Sequence, residues 1–202
     1  MRLLKKLILI VCLLLISGCS VVRIDTTSID NIVSVVLSKD NTLYNHIGKG
    51  YKYYIPRGVN YIDTNEYNDV LYSNGQYYYL YIDIISYYHN VIKSYEVNID
   101  AYYSKLLDIN GKTGYLEINK QKNGQYFIEF MYNYSKIESI CDYEDINDII
   151  LNASYILSTV KFNNNIITAM LDDEFLVREE KYDIFISKKD TNDFLKLEDE
   201  VE

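Results

Sequence analysis

Apolar and polar positions follow three patterns along this 202-residue chain, and each pattern predicts a different element. Residues 7–16 are ten unbroken apolar positions, a run too short to span a bilayer as a helix. Between residues 69 and 141, apolar and polar positions largely alternate, which is typical of strands with one buried face. Apolar residues spaced three and four apart, before and after that region, indicate amphipathic helices.

Asn-Gly pairs divide the alternating region at 74–75, 110–111 and 123–124. Both residue types tolerate the positive φ of a type I′ turn, so each pair predicts a β-hairpin. The predicted hairpins pair residues 69–73 with 76–86, 105–109 with 114–119, and 114–119 with 125–133. Residues 134–141 and 50–55 are expected to add strands, so the sheet is predicted to be antiparallel.

Helices are predicted before and after the sheet. Ser28 is placed to cap the first helix and Asp142 to cap the second. Their apolar stripes are Ile29, Ile32, Val33, Val36 and Leu37 in the first, and Ile146, Ile149, Ile150, Ala153 and Leu157 in the second. A third helix is predicted over residues 191–200, with an acidic end that should fray. Together these elements predict one α+β domain over residues 28–202, an antiparallel sheet flanked by helices.

The residues on either side of the apolar run 7–16 indicate its function. Arg2, Lys5 and Lys6 precede it and Ile16-Ser17-Gly18-Cys19 follows, an order typical of an export signal. The last four residues resemble the lipobox of bacterial lipoproteins, in which the cysteine carries a diacylglycerol anchor. The resemblance implies a signal peptide over residues 1–18, cleavage between Gly18 and Cys19, lipidation of Cys19 and a tether over residues 19–27. We therefore expect a lipid-anchored protein on the extracytoplasmic face of the cell membrane. The alternative is ordinary secretion without a lipid.

Charge and cysteine content limit the partners. Removal of residues 1–18 takes away three of the 20 basic residues and none of the 29 acidic ones, so the formal charge falls from -9 to -12. Such a surface repels nucleic acid, and no nucleic-acid partner is expected. After processing, Cys141 has no cysteine other than the anchor with which to pair. We expect it to be a small core residue.

Two further segments resemble a known family. Tyr53-Tyr54-Ile55-Pro56-Arg57-Gly58 is similar to the opening of PsbP-like domains, and residues 156–162 are similar to the helix end and strand that close them. The resemblance implies an α-β-α sandwich and a non-enzymatic role in binding or assembly at a membrane. Val59 departs from the family pattern, which often has an aromatic residue there.

Residues suited to catalysis or metal binding are few. The two histidines, His46 and His89, stand in polar contexts, and we interpret them as surface or loop residues. Asp63, Asn65 and Asp69 begin like a calcium loop that lacks its remaining ligands and its turn glycine. The acidic run Asp172-Asp173-Glu174 is interpreted as a solvated turn. No catalytic residue, metal site or cofactor is predicted.

The tyrosine-rich segment 77–84 is the candidate binding feature. Alternation places Tyr78, Leu80, Ile82 and Ile84 on one face, which we assign to the core. Tyr77, Tyr79 and Tyr81 share the other face, either as an open binding row or as a second buried face under a helix. The buried interpretation is favoured. The expected function is non-enzymatic binding or envelope assembly with a protein partner; the alternatives are a lipoprotein that binds carbohydrate or peptide, and a hydrolase built from scattered residues.

Overall fold

The computed structural model describes residues 24–65 and 68–171. Several predicted features lie outside the described residues: the signal peptide with Gly18 and Cys19, the first part of the tether, the acidic run at 172–174, and the helix at 191–200.

The described chain is a mixed α+β fold. Its helices are α1 (Ile29–Leu37), α2 (Ile84–His89), α3 (Ile146–Thr159) and α4 (Asn164–Met170), with a 3-10 turn at Tyr143–Asp145 before α3. Its strands are β1 (His46–Ile47), β2 (Tyr51–Tyr53), β3 (Asn60–Asn65), β4 (Asn68–Ser73), β5 (Gln76–Ile82), β6 (Tyr103–Ile109), β7 (Lys112–Lys120), β8 (Tyr126–Tyr132), β9 (Ser135–Cys141) and β10 (Lys161–Phe162).

Seven strands form one antiparallel sheet in the order β3-β4-β5-β9-β8-β7-β6. The three predicted hairpins are confirmed as β4-β5, β6-β7 and β7-β8. Asn-Gly at 74–75 and 110–111 has positive φ at both positions, as a type I′ turn requires. The third pair differs, because only Gly124 has positive φ and the Asn123 side chain instead accepts a hydrogen bond from the Gln125 amide at 3.0 Å. That hairpin therefore has a longer loop.

Two predicted boundaries are wrong. The strand expected to run to residue 86 ends at Ile82, because Asp83 caps the short helix α2 by accepting a hydrogen bond from the Ser86 amide at 2.8 Å. The second predicted helix begins at Ile146, and Asp142 precedes the 3-10 turn without making a side-chain capping bond. The Asp83 cap sets the first boundary and the 3-10 turn sets the second. Neither feature changes the apolar pattern, so the sequence pattern does not reveal them.

The first helix agrees with its prediction. The Ser28 hydroxyl accepts a hydrogen bond from the Asn31 amide at 3.3 Å, and the apolar stripe of α1 is buried apart from Ile29, which is partly buried. Helix α1 packs on α3, and α3 packs on β8 and β9. The resulting core includes Leu80 and Ile82 from β5 and the buried thiol of Cys141, as expected from the alternation.

A second, three-stranded sheet has the order β1-β2-β10. It brings together the two segments that resemble PsbP-like domains, because β10 pairs with β2 and the Tyr54 amide donates to Oγ1 of Thr159 at 3.0 Å. The same small sheet brings side chains of β1 and β2 against Asp69 of β4, where β3 and β4 form one edge of the large sheet.

Candidate functional site

The tyrosines of β5 do not share one environment. Tyr77 is 40% exposed, Tyr79 is half-buried and Tyr81 is 7% exposed. None of the three belongs to the main hydrophobic cluster, which contains Tyr78 from the opposite face of the same strand, so Tyr81 is buried outside that cluster. The row predicted from alternation is therefore graded from an open end near the hairpin turn to a buried end.

The open end of the row continues onto β4. Tyr72 lies directly opposite Tyr77, with ring centroids 5.0 Å apart, and the Tyr77 ring stacks on Tyr79 at 6.2 Å. We call Tyr72, Tyr77 and Tyr79 the tyrosine ladder. Contacting aromatic rings stabilise one another and offer flat apolar faces with polar hydroxyl edges. This hairpin therefore presents a preformed aromatic surface.

The buried end of the row is polar rather than apolar. Tyr81 lies directly opposite Lys136, and its hydroxyl donates to Oε2 of Glu138 at 3.3 Å. The Lys136 ammonium is buried and bonds to Oε1 of Glu138 at 2.6 Å. Burial, and then the negative charge of Glu138, raise the pKa of Tyr81, so its hydroxyl stays a neutral donor. A charged partner on β9 therefore satisfies the hydroxyl of this buried tyrosine.

Three glutamates extend this network across the sheet. The register places Glu138 of β9 opposite Glu129 of β8, and Glu129 opposite Glu117 of β7. Adjacent strands lie about 4.8 Å apart, so the three carboxylates form a row on one face. Burial raises the pKa of Glu129, and the hydroxyl of Tyr115 donates to its Oε1. The row was missed from sequence, because only the strand register reveals it.

Residues 91–100 pass over the far end of this row. The Tyr95 ring stacks on Tyr115 with centroids 4.1 Å apart, and its hydroxyl bonds to Glu117. Burial is the main cause that raises the pKa of Tyr95 to about 12. Beside this contact lies a groove of about 340 Å³, lined by apolar side chains such as Ile92 and Met131 together with the ammonium-bearing Lys112. The side of the sheet opposite α3 is thus partly covered by a loop segment.

A separate buried cluster surrounds Asp69, at the contact between the two sheets. Its Oδ2 accepts hydrogen bonds from the hydroxyls of Tyr53 at 2.7 Å and Tyr51 at 3.2 Å. Nε2 of His46 lies 3.7 Å from the same oxygen, and the His46 ring stacks on Tyr61 at 4.6 Å. Burial, and then the charge of Asp69, raise the pKa of Tyr53. We call Asp69, Tyr51, Tyr53 and His46 the Asp69 cluster.

The absence of a side chain at Gly48 makes room for the Tyr51 ring of the Asp69 cluster. A Cβ atom at Gly48 would lie 2.2 Å from Cζ of Tyr51 and 2.6 Å from its hydroxyl. These distances are far below van der Waals contact, so any side chain at this position would displace the Tyr51 ring. Gly48 therefore permits the close approach that directs the Tyr51 hydroxyl at Asp69.

The other predicted positions are placed as follows. His89 is exposed at the end of α2, as expected, whereas His46 is partly buried beside Asp69 instead of lying on a free surface. Asp63 pairs with Val70, so it lies on the sheet face opposite to Asp69. The two aspartates therefore do not form a calcium loop.

Within residues 24–65 and 68–171, no three His, Cys, Asp or Glu side chains are grouped as a metal site. Among the same residues, none of the helices combines the length and apolar character needed to cross a bilayer.

No protein-family model, no curated protein and no solved structure matches the chain.

Proposed function

We propose that the protein is a lipid-anchored binding protein on the extracytoplasmic face of the cell membrane, where it holds a component of the envelope without catalysis. The observation that carries the binding role is the tyrosine ladder, three contacting rings at the open end of a sheet face. Tyrosine is enriched at protein interfaces because it supplies a large rigid surface with a polar edge. The partner is accordingly a protein of the envelope.

The anchor rests on the lipobox resemblance of Ile16-Ser17-Gly18-Cys19. An attached diacylglycerol holds a protein at the bilayer stably, whereas a single acyl chain does so only marginally. Cys19→Ala should abolish incorporation of a labelled fatty acid. Cys12→Ala, a matched change within the signal region, should leave incorporation unchanged. Equal labelling of the two variants would refute the anchor.

The PsbP-like assignment, with its α-β-α sandwich, is part of this proposal. It is supported by the pairing of β2 with β10, which places the two resembling segments side by side. Neither segment contains a catalytic group, which agrees with a binding or assembly role.

The ladder is tested by chemical cross-linking in intact cells, followed by quantitative mass spectrometry of what is joined to the full chain. Tyr77→Ser should remove a specific envelope protein from the cross-linked set. Tyr143→Ser is the matched control, because Tyr143 is also an exposed tyrosine, with 61% of its surface exposed. Its ring contacts Tyr102 and Tyr126 and does not belong to the ladder. If the wild type, Tyr77→Ser and Tyr143→Ser were cross-linked to the same envelope proteins, binding through the ladder would be contradicted.

A carbohydrate is the second candidate ligand, because stacked phenol rings offer the flat faces and hydroxyl edges that sugar rings use. Saturation-transfer NMR with soluble glucan and chitin oligosaccharides tests this candidate. Transfer that is lost in Tyr77→Ser and kept in Tyr143→Ser would replace the protein partner with a carbohydrate.

A further inference from the structure

The Asp69 cluster brings two hydroxyl oxygens and one imidazole nitrogen together around a buried carboxylate. Around Oδ2 of Asp69 lie the Tyr53 hydroxyl at 2.7 Å, the Tyr51 hydroxyl at 3.2 Å and Nε2 of His46 at 3.7 Å. Ligand atoms that share one ion at about 2.1 Å are separated by about 3.0 Å in octahedral and about 3.4 Å in tetrahedral geometry. The three distances to Oδ2, from 2.7 to 3.7 Å, bracket these values, so each donor lies close enough to Asp69 to share one ion with it.

A second observation points to a ligand at this place. Asp69 is 1% exposed, and its other oxygen, Oδ1, is buried without a hydrogen-bond partner among the described residues. A buried carboxylate oxygen that lacks a partner is costly, and each such atom calls for a specific explanation. Coordination of a cation by both carboxylate oxygens would satisfy Oδ1 and keep the ion beside the donors that surround Oδ2.

We propose that the Asp69 cluster binds one ferric ion through Asp69, Tyr51, Tyr53 and His46. Oxygen donors of high charge density suit hard cations, imidazole suits iron, and a tyrosine phenolate holds iron in some haem proteins. A ferric ion with one carboxylate and two phenolates is electrically neutral. A divalent ion with the same ligands would leave a net negative charge in a buried site, which is unfavourable.

Binding exchanges protons for the ion and moves no electrons. In the free protein both phenols are neutral and donate hydrogen bonds to Asp69. A free phenol has a pKa of about 10, so a strongly polarising cation is needed to displace its proton at neutral pH. The ion takes the place of the two hydroxyl protons, which pass to solvent, and His46 coordinates as the neutral imidazole.

The ion has a short route to this site. The His46 side chain is 21% exposed, and the Tyr61 ring that stacks on it is itself partly exposed. These two rings form the solvent-facing side of the cluster, past which an ion would enter. This site departs from the expectation of no metal, because no complete ligand set stands near His46, Asp63 or Asp172 in the sequence, and the cluster forms only through the contact between two sheets.

The test is titration of the purified full chain in detergent with ferric nitrilotriacetate, followed by visible absorption. Phenolate coordination gives a charge-transfer band at visible wavelengths, which binding through carboxylates alone does not give. We expect the band to saturate at one ion per chain and the melting temperature to rise with the ion. No band, or a rise with calcium or zinc but not with iron, would overturn the ferric site.

Matched variants locate the band. Tyr53→Phe keeps the ring and removes one phenolate, so affinity should fall by more than about tenfold, and Tyr51→Phe with Tyr53→Phe should abolish the band. Tyr78→Phe is the control, because this buried tyrosine bonds to Asn152 and not to Asp69. If a Tyr51 or Tyr53 variant fails to fold, as judged by circular dichroism, His46→Ala tests the same site from its exposed side. A band that persists in the double variant, or in His46→Ala at unchanged affinity, would place the iron elsewhere.

Discussion

The hydroxyl of Tyr115 on β7 donates a hydrogen bond to Oε1 of Glu129 on the neighbouring strand β8. The two side chains are diagonal neighbours across the strand pair, since Glu129 lies opposite Glu117. This contact places a carboxylate in the interior of the glutamate row, where burial raises its pKa above the ordinary value.

The first prediction concerns the charge of Glu129. A carboxyl with a raised folded-state pKa contributes stability that is present below the unfolded pKa of about 4.5 and is lost as the pH rises through the folded value. The neutral amide in Glu129→Gln keeps an acceptor for Tyr115 and avoids the buried charge. We therefore expect the variant to unfold at higher urea than the wild type at pH 7, and the difference to shrink toward pH 4.

The control for this prediction is Glu96→Gln, because Glu96 is exposed in the segment 91–100 that passes over the glutamate row. It should change the unfolding midpoint little at either pH. A Glu129→Gln variant that is less stable than the wild type at pH 7 would show that attraction to Lys136 outweighs the cost of burial.

The second prediction separates the two ends of the tyrosine row. Tyr81→Ser removes a buried ring and the donor to Glu138, so it should lower the free energy of unfolding by about 3–5 kcal/mol. Tyr77→Ser removes a ring that is 40% exposed and should cost about 1 kcal/mol or less. Urea denaturation of both variants measures the difference. Equal losses would mean that the two ends of the row are buried alike.

The third prediction concerns Asp69 in iron-free buffer. Asp69→Ala leaves the hydroxyls of Tyr51 and Tyr53 without their shared acceptor, and should cost about 2–5 kcal/mol of unfolding free energy. Asp69→Asn keeps a carbonyl acceptor and should cost less. Asp63→Ala is the matched control, since Asp63 is exposed on the opposite face of the sheet and should stay within about 0.5 kcal/mol. Comparable losses for Asp63→Ala and Asp69→Ala would contradict the buried cluster.

Much of the large sheet could be predicted from sequence, because Asn-Gly turns and alternation act within a few residues. The polar strand β3 and the two-residue strand β1 carry too few alternating positions to be recognised, and the two-residue strand β10 is indicated only by the resemblance of residues 156–162 to PsbP-like domains. The first half of helix α2, residues 84–86, falls within the predicted strand, since Ile84 and Ile85 continue the apolar run of β5. These elements are fixed by tertiary contacts that local patterns do not encode.

The sites were harder to predict than the strands. Asp69 has the same parity as Leu71, and Glu129 lies between Ile128 and Phe130, so each position could have been assigned to a sheet face. The partners of Asp69 could not be predicted, because His46, Tyr51 and Tyr53 reach it through the contact between two sheets. The graded burial of Tyr77, Tyr79 and Tyr81 likewise depends on neighbours from β9.

The last prediction concerns Cys141, which ends β9 inside the core. Burial, followed by the charges of Asp145 and Asp142, raises the pKa of its thiol to about 12. The thiolate is the reactive form, so the native protein at pH 8 should resist alkylation by iodoacetamide at this position. Mass spectrometry should show Cys141 modified only after urea exposes it, with a midpoint that follows the unfolding transition. Rapid modification in native buffer would mean that β9 opens locally at this end, contrary to its buried place under α3.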